Sequence, residues 1–202
     1  MTATATSEVM TRTRTPVGLV AVVVAAVVLT VGSGGGQSSH RRASGPFAWL
    51  HPAPPPTGWS VARIAGGATL AYPPGWRPIK TDRDTASAAL LGGDGRIDAY
   101  LNATPRQGAE TPANWSQFRP AHNRREGDRS VRLIASSSDV TFRSGRGACV
   151  IDSYETSKAA YREIACLVSG RGSSAVVVAA APVAVWEHQA ATLQRAVSSF
   201  VP

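Results

Sequence analysis

The chain predicts an α+β domain in which an antiparallel β-sheet of about six or seven strands is covered by two helices. Three observations carry that expectation. Short β-rich runs separated by Gly, Pro and Asp recur from residue 68 to residue 181. Only two segments carry helix signals. In the last of them Trp186, Ala190, Leu193, Val197 and Phe200 recur at i, i+4, i+7, i+11 and i+14, one helix face that reads as core packing. A sheet dominated by strands, with few helices, is a layered α+β arrangement.

The N-terminal quarter is of another kind. Pro16 to Val31 is apolar and uncharged, follows Arg12 and Arg14, and runs into Gly32-Ser-Gly-Gly-Gly36. Cations before an apolar run place the N-terminus inside and the rest of the chain outside the cytoplasm. Residues 1–15 are therefore expected as a cytoplasmic tail, 16–33 as a signal-anchor or transmembrane segment, 34–58 as a Gly/Ser/Pro-rich linker, and 59–202 as the extracytoplasmic domain. A spanning helix needs about 17–25 residues, so a short retained anchor and a cleaved export signal both stand, the anchor favoured because no A-x-A site follows the run. Lipoprotein processing needs a cysteine there, and the two cysteines lie far downstream. Pro52, Pro54, Pro55 and Pro56 stiffen the end of the linker.

Within the domain, strands are expected at 68–72, 76–80, 86–91 and 96–103, with Pro73-Pro-Gly75 and Gly92-Gly-Asp-Gly95 as breaks. Thr111-Pro112 is an N-cap followed by proline at the first helical position, opening a helix through Trp115 and Phe118 that Pro120 should end. Strands follow at 131–142, 148–156, 159–168 and 174–181, and a helix from 182 to 199 closes the chain. Gly93, Gly95, Gly145 and Gly147 are expected as turn glycines. No internal repeat is visible.

Cys149 and Cys166 flank two β-rich runs that meet near Ser157-Lys158. If residues whose numbers sum to 315 face each other, Cys149 opposes Cys166, Ile151 opposes Ile164 and Tyr154 opposes Tyr161. Cross-strand Cα separations of about 4.5–5.5 Å suit a disulfide, which an oxidising compartment would preserve.

The formal charge is +8, and without Arg12, Arg14 and Glu8 the remaining 19 cations still face 12 acids. Only Lys80 and Lys158 are lysine, so most of this charge reads as the compositional bias of a GC-rich genome. An anionic envelope polymer or lipid headgroup is the partner such a surface would suit, and nucleic acid is not expected. No HExxH, Walker A loop, GxSxG or SxxK occurs. Paired carboxylates occur as Asp82/Asp84 and Asp94/Asp98, the first pair flanking Arg83 and reading as a solvated loop, and the domain is expected to have no catalytic, cofactor or metal residues. One constellation points to a partner: Arg119, His122, Arg124, Arg125, Arg129 and Arg132, interleaved only with Glu126 and Asp128. Guanidinium forks match carboxylate and phosphate.

Ala71-Tyr-Pro-Pro-Gly-Trp76 and the ending Val176 to Phe200, with the central helix and the Tyr-Arg-Glu hairpin, resemble the PsbP-like α/β/α sandwich. Tyr100-Leu-Asn-Ala-Thr-Pro105, Phe118-Arg-Pro-Ala-His-Asn123 and Glu126-Gly-Asp-Arg129 are similar to segments of uncharacterised, membrane-anchored or exported actinobacterial envelope proteins. The resemblance covers about residues 59–201 and implies an accessory or scaffold domain rather than an enzyme; it transfers no site residue. The expectation is a membrane-tethered, non-enzymatic domain that binds an envelope protein or anionic polymer. The alternative is a carrier with a small apolar ligand between sheet and helix.

Overall fold

The computed structural model describes residues 45–202. Nine strands and two α-helices follow in order: β1 (Ser60–Arg63), β2 (Thr69–Tyr72), β3 (Arg77–Pro78), β4 (Ala86–Leu91), β5 (Ile97–Pro105), α1 (Trp115–Arg125), β6 (Arg129–Phe142), β7 (Gly145–Glu155), β8 (Ala160–Ser169), β9 (Ser174–Pro182) and α2 (Trp186–Ser199). β3 to β9 form one antiparallel seven-stranded sheet in the order β3-β4-β5-β9-β8-β7-β6, and β1 pairs with β2 in a separate ribbon.

The middle of the sheet is covered on both faces, so β9 is a near-continuous apolar run, buried from Ala175 to Ala181. On one face Leu193 and Val197 of α2, with Phe200 just past its end, join Ile164, Cys166, Val168, Val177 and Ala179 in the larger apolar cluster. On the other, Trp115 of α1 packs with Ala148, Val150, Ala165, Leu167, Val176 and Val178. Successive side chains of a strand point to opposite faces, so each central strand serves both layers. The α2 stripe read from its spacing is the buried face: Trp186, Leu193, Val197 and Phe200 are all buried.

The β7–β8 hairpin has the register derived from the cysteine spacing, with Cys149 opposite Cys166, Ile151 opposite Ile164 and Tyr154 opposite Tyr161. The two cysteines are disulfide-bonded, with their Cα atoms 4.1 Å apart.

Several expectations need correction. Pro120 does not end α1, which continues to Arg125. Proline removes one helical hydrogen bond at a cost of about 3 kcal/mol, and packing on both sides of Pro120 outweighs it: Trp115 precedes it in the core and Asn123, one turn beyond, is buried too. Gly145 and Gly147 are strand rather than turn residues, opposite Phe142 and Val140 on β6. A Cβ on Gly147 would drive into the Leu167 carbonyl, so the glycine permits a close approach of backbones.

The linker boundary also moves. Phe47 and Leu50 are buried and belong to the larger core cluster, and the Ala53 amide donates to the Ser198 carbonyl at 3.2 Å. Burying a large apolar side chain is worth about 1.5–3 kcal/mol, enough to hold this stretch on the domain. The packed unit thus includes residues assigned to the linker. The tail, the anchor segment and residues 34–44 lie outside the described residues. Among the described residues, no helix is long and apolar enough to cross a membrane.

Candidate functional site

Among the described residues, the buried acidic residues Glu110, Asp152 and Glu163 all lie on the side of the sheet covered by α1 and the loop before it. The loop is fixed by reciprocal bonds: the Thr111 amide donates to Asn114 Oδ1 at 2.8 Å, and the Asn114 amide to Thr111 Oγ1 at 3.2 Å. This Thr-to-Asn turn puts the helix start at Trp115, later than the Thr111 N-cap expected from sequence. Trp115 then anchors the helix to the sheet by donating its indole N–H to the Ala165 carbonyl at 3.0 Å.

One turn on, Arg119 points into the protein. Its Nε and Nη2 donate to Glu163 Oε1 and Oε2 at 2.6 and 2.9 Å, a bidentate pair in which the Glu163 side chain is fully buried. Tyr154 donates its hydroxyl to Glu163 Oε2 at 3.2 Å, and the Tyr100 and Tyr154 hydroxyls lie 3.3 Å apart. Asp152 stands directly opposite Glu163 in the β7–β8 register and is also fully buried. Its Oδ2 accepts a long 3.4 Å bond from Asn123 Nδ2, and its Oδ1 has no hydrogen-bond partner.

The electrostatics follow from this crowding. Burial, and then the Glu163 carboxylate, push Asp152 up to about 8, so it is largely protonated at neutral pH. Burial and Glu163 likewise push both phenols, Tyr100 and Tyr154, above the usual tyrosine range. Burial alone would lower the Arg119 pKa; the charge and hydrogen bonds of Glu163 outweigh it and hold the guanidinium charged. His122 is pulled below its ordinary value by partial burial and by Arg119 beside it.

The basic constellation divides. Arg119 is committed to Glu163 and is not available to a partner. His122 stacks on Phe118, ring centroids 6.3 Å apart, and Arg125 covers the same ring with its guanidinium 5.5 Å from the centroid. Arg124 donates to the Val131 carbonyl at 3.1 Å. Arg124, Arg125, Arg129 and Arg132 are exposed around the junction of α1 with the edge strand β6, and none forms an ion pair among the described residues. Leu133 and Ile134, also exposed, continue the same edge.

A cleft of about 220 Å³ opens between α1, the ends of β5 and β9, and the 106–110 loop, lined by Thr104, Gln107, Glu110, Trp115, Phe118, Arg119, His122 and Val176 among others. Sequence reasoning passed over Glu110, Asp152 and Glu163. For the last two the hairpin register held the signal, because 152 and 163 also sum to 315. For Glu110 there was none. Among the described residues, no three His, Cys, Asp or Glu side chains gather as metal ligands would.

No protein-family model matches the chain, and no curated protein does. Solved structures do match. Cyanobacterial PsbP (CyanoP) from Synechocystis sp. PCC 6803 is similar with a TM-score of 0.53 at 14% identity, covering 71% of this chain and 92% of that one. LpqN, a protein involved in cell envelope biogenesis of Mycobacterium tuberculosis, is similar with a TM-score of 0.41 at 14% identity, covering 71% and 91% of the two chains. A Pseudomonas aeruginosa protein of unknown function, PA94, reaches a TM-score of 0.47 at 15% identity over 71% and 96%. The likeness to CyanoP carries the fold: the chain has the PsbP-like α/β/α sandwich implied by its motifs.

Proposed function

We propose that this PsbP-like domain is an extracytoplasmic, membrane-tethered accessory module without catalytic activity, which docks an anionic envelope polymer or the acidic face of an envelope protein. The observation that carries the reading is the set of four exposed guanidinium groups, Arg124, Arg125, Arg129 and Arg132, which gather within one short stretch and form no ion pair among the described residues. Arginine forks left unmatched at one edge suit carboxylate or phosphate. The uncharged segment after Arg12 and Arg14 supports the tether, and the neighbouring Leu133 and Ile134 would add apolar contact.

The test is retention of the purified full chain on immobilised polyglutamate and polyphosphate at about 0.15 M salt, where purely diffuse attraction is strongly screened. Retention that disappears in the Arg124→Ala/Arg125→Ala variant supports the docking edge. Retention unchanged by those substitutions sinks it. Crosslinking in the native cells then identifies the partner. The alternative, a carrier of a small apolar ligand, is favoured by the cleft between sheet and α1, whose walls include Trp115, Phe118 and Val176. Its volume of about 220 Å³ lies below the roughly 300–1,000 Å³ of sites for drug-sized ligands, so any cargo is small.

A further inference from the structure

The point where the chain enters the domain decides which surface a membrane tether brings to the lipid. Gly45, Phe47 and Leu50 line one hollow with Ser136, Asp139 and Thr141 in the second half of β6. The Ala53 amide then reaches the Ser198 carbonyl in the last turn of α2. Both elements finish at the same end of the sheet: a Cβ on Gly145 or on Gly170 would meet Pro202, just past α2, at 2.9 or 3.1 Å. The entry therefore lies at the end closed by the 143–144 and 170–173 turns.

That end is basic. Arg143 stands in the two-residue turn between Phe142 and Gly145. Arg171 stands in the next turn, closed by the Gly170 amide on the Ser173 carbonyl at 2.8 Å. Arg106 follows β5 and donates its amide to the Ser174 carbonyl at 2.9 Å. Arg63 closes β1 and donates to the Gly67 carbonyl at 3.2 Å, and a Cβ on Gly66 would lie 3.4 Å from that of Ser173. These four arginines are exposed, and none forms an ion pair among the described residues. Arg146 is matched by Asp139, and before β4 Lys80 and Arg83 balance Asp82 and Asp84. The exposed large apolar side chains, Val61, Leu91, Leu133, Ile134 and Val183, all lie outside these turns. A surface with guanidinium groups and no apolar wedge meets headgroups rather than acyl chains.

Reach and distance separate this surface from the arginine edge. Thirteen residues, 32–44, lie between the apolar run and Gly45. A Gly/Ser-rich coil of that length spans roughly 20 Å, so a tethered entry point stays near the bilayer. Arg129 opens β6 and Phe142 closes it. At about 3.3 Å per residue the two ends of that strand lie roughly 40 Å apart, several times the Debye length of about 8 Å at physiological salt. The two arginine surfaces cannot serve one flat membrane together, and the entry point favours the one at the β6–β7 turn.

We propose that this end of the sheet faces the membrane and that Arg63, Arg106, Arg143 and Arg171 bind anionic phospholipid headgroups there. The proposal rests on the tether reading. It leaves the arginine edge of α1 and β6 directed away from the bilayer, toward its envelope partner.

The experiment reconstitutes the full chain from mild detergent into nanodiscs of phosphatidylcholine alone and of phosphatidylcholine with about 30% phosphatidylglycerol, at about 0.15 M salt. A trace of gadolinium-chelating lipid broadens the amide resonances nearest the bilayer. Co-elution with the neutral discs reports the tether by itself. In anionic discs the Ser144 and Gly172 amides should be broadened at least about threefold more than that of Lys158, in the opposite turn. Arg143→Ser/Arg171→Ser, in exposed turns, should remove that excess, and so should neutral lipid. Equal broadening at both ends, greater broadening at Lys158, or an excess that persists in neutral discs or in the variant overturns the proposal. If the variant does not fold, the comparison of the two lipids decides. Failure to co-elute with neutral discs sinks the tether reading alone. In that case co-elution with anionic discs that the arginine variant loses supports the surface, and its absence, or its persistence in the variant, overturns it.

Discussion

Asp152 and Glu163 face each other across β7 and β8 beneath α1, and neither side chain reaches solvent. Like charges directly opposed in a sheet repel. Here the conflict is relieved twice, by the Arg119 fork on Glu163 and by a proton on Asp152. Removing one partner of a buried ion pair strands the other, at a cost of about 3–5 kcal/mol. Arg119→Met is therefore expected to lower stability by about that much in urea denaturation, and Arg119→Met/Glu163→Met to recover most of it. The proton on Asp152 sets a pH dependence. Its folded pKa of about 8 lies above the ordinary 3.8, so between those values the native state holds more protons than the unfolded chain. Stability from this group is full below about pH 4 and is lost as pH rises through about 8. His122, whose folded pKa is lowered, acts in the opposite sense below its ordinary 6.5. The comparison that isolates Asp152 is Asp152→Asn against wild type: the variant should gain relative stability between pH 5 and pH 8.5, and parallel pH profiles would refute the shift.

At the scale of elements, β7 and β8 meet at Gly147 with no room for a Cβ. Gly147→Ala would press its methyl into the Leu167 carbonyl and should cost about 1–3 kcal/mol, as overpacking does. Gly172→Ala, with open space around it, should be neutral, and thermal melts of the two variants check both expectations. What could be read from sequence divides along this line. The hairpin register and the α2 face were legible because periodicity and cysteine spacing are local signals. The extent of α1 was not, since its continuation past Pro120 rests on contacts with β6 and β7. β1 was missed because its residues are mostly exposed and show no alternation. Arg119 looked like its arginine neighbours in sequence, and only the approach of β8 to α1 separates it from them. The cleft depends on a loop and three elements meeting, which no motif announces.

Over the whole molecule, the sheet divides two unlike layers. The α2 side is apolar and contains Cys149 and Cys166 within its core cluster. Reduction of that disulfide, which spans 17 residues, should lower stability by about 3 kcal/mol in the chain-entropy model, measured by urea melts with and without dithiothreitol. The α1 side adds buried carboxyl and hydroxyl groups to its own valines and leucine. α1 buries only Trp115, Pro120 and Asn123, against six buried residues in α2. Local opening free energies follow such differences in buried apolar contact. The amides of α1 should therefore exchange with deuterium through a sub-global opening well before those of α2 and β9. The layer that walls the cleft is then also the one that breathes, and a ligand held there would slow exchange across all of α1 while leaving the far side of the sheet untouched.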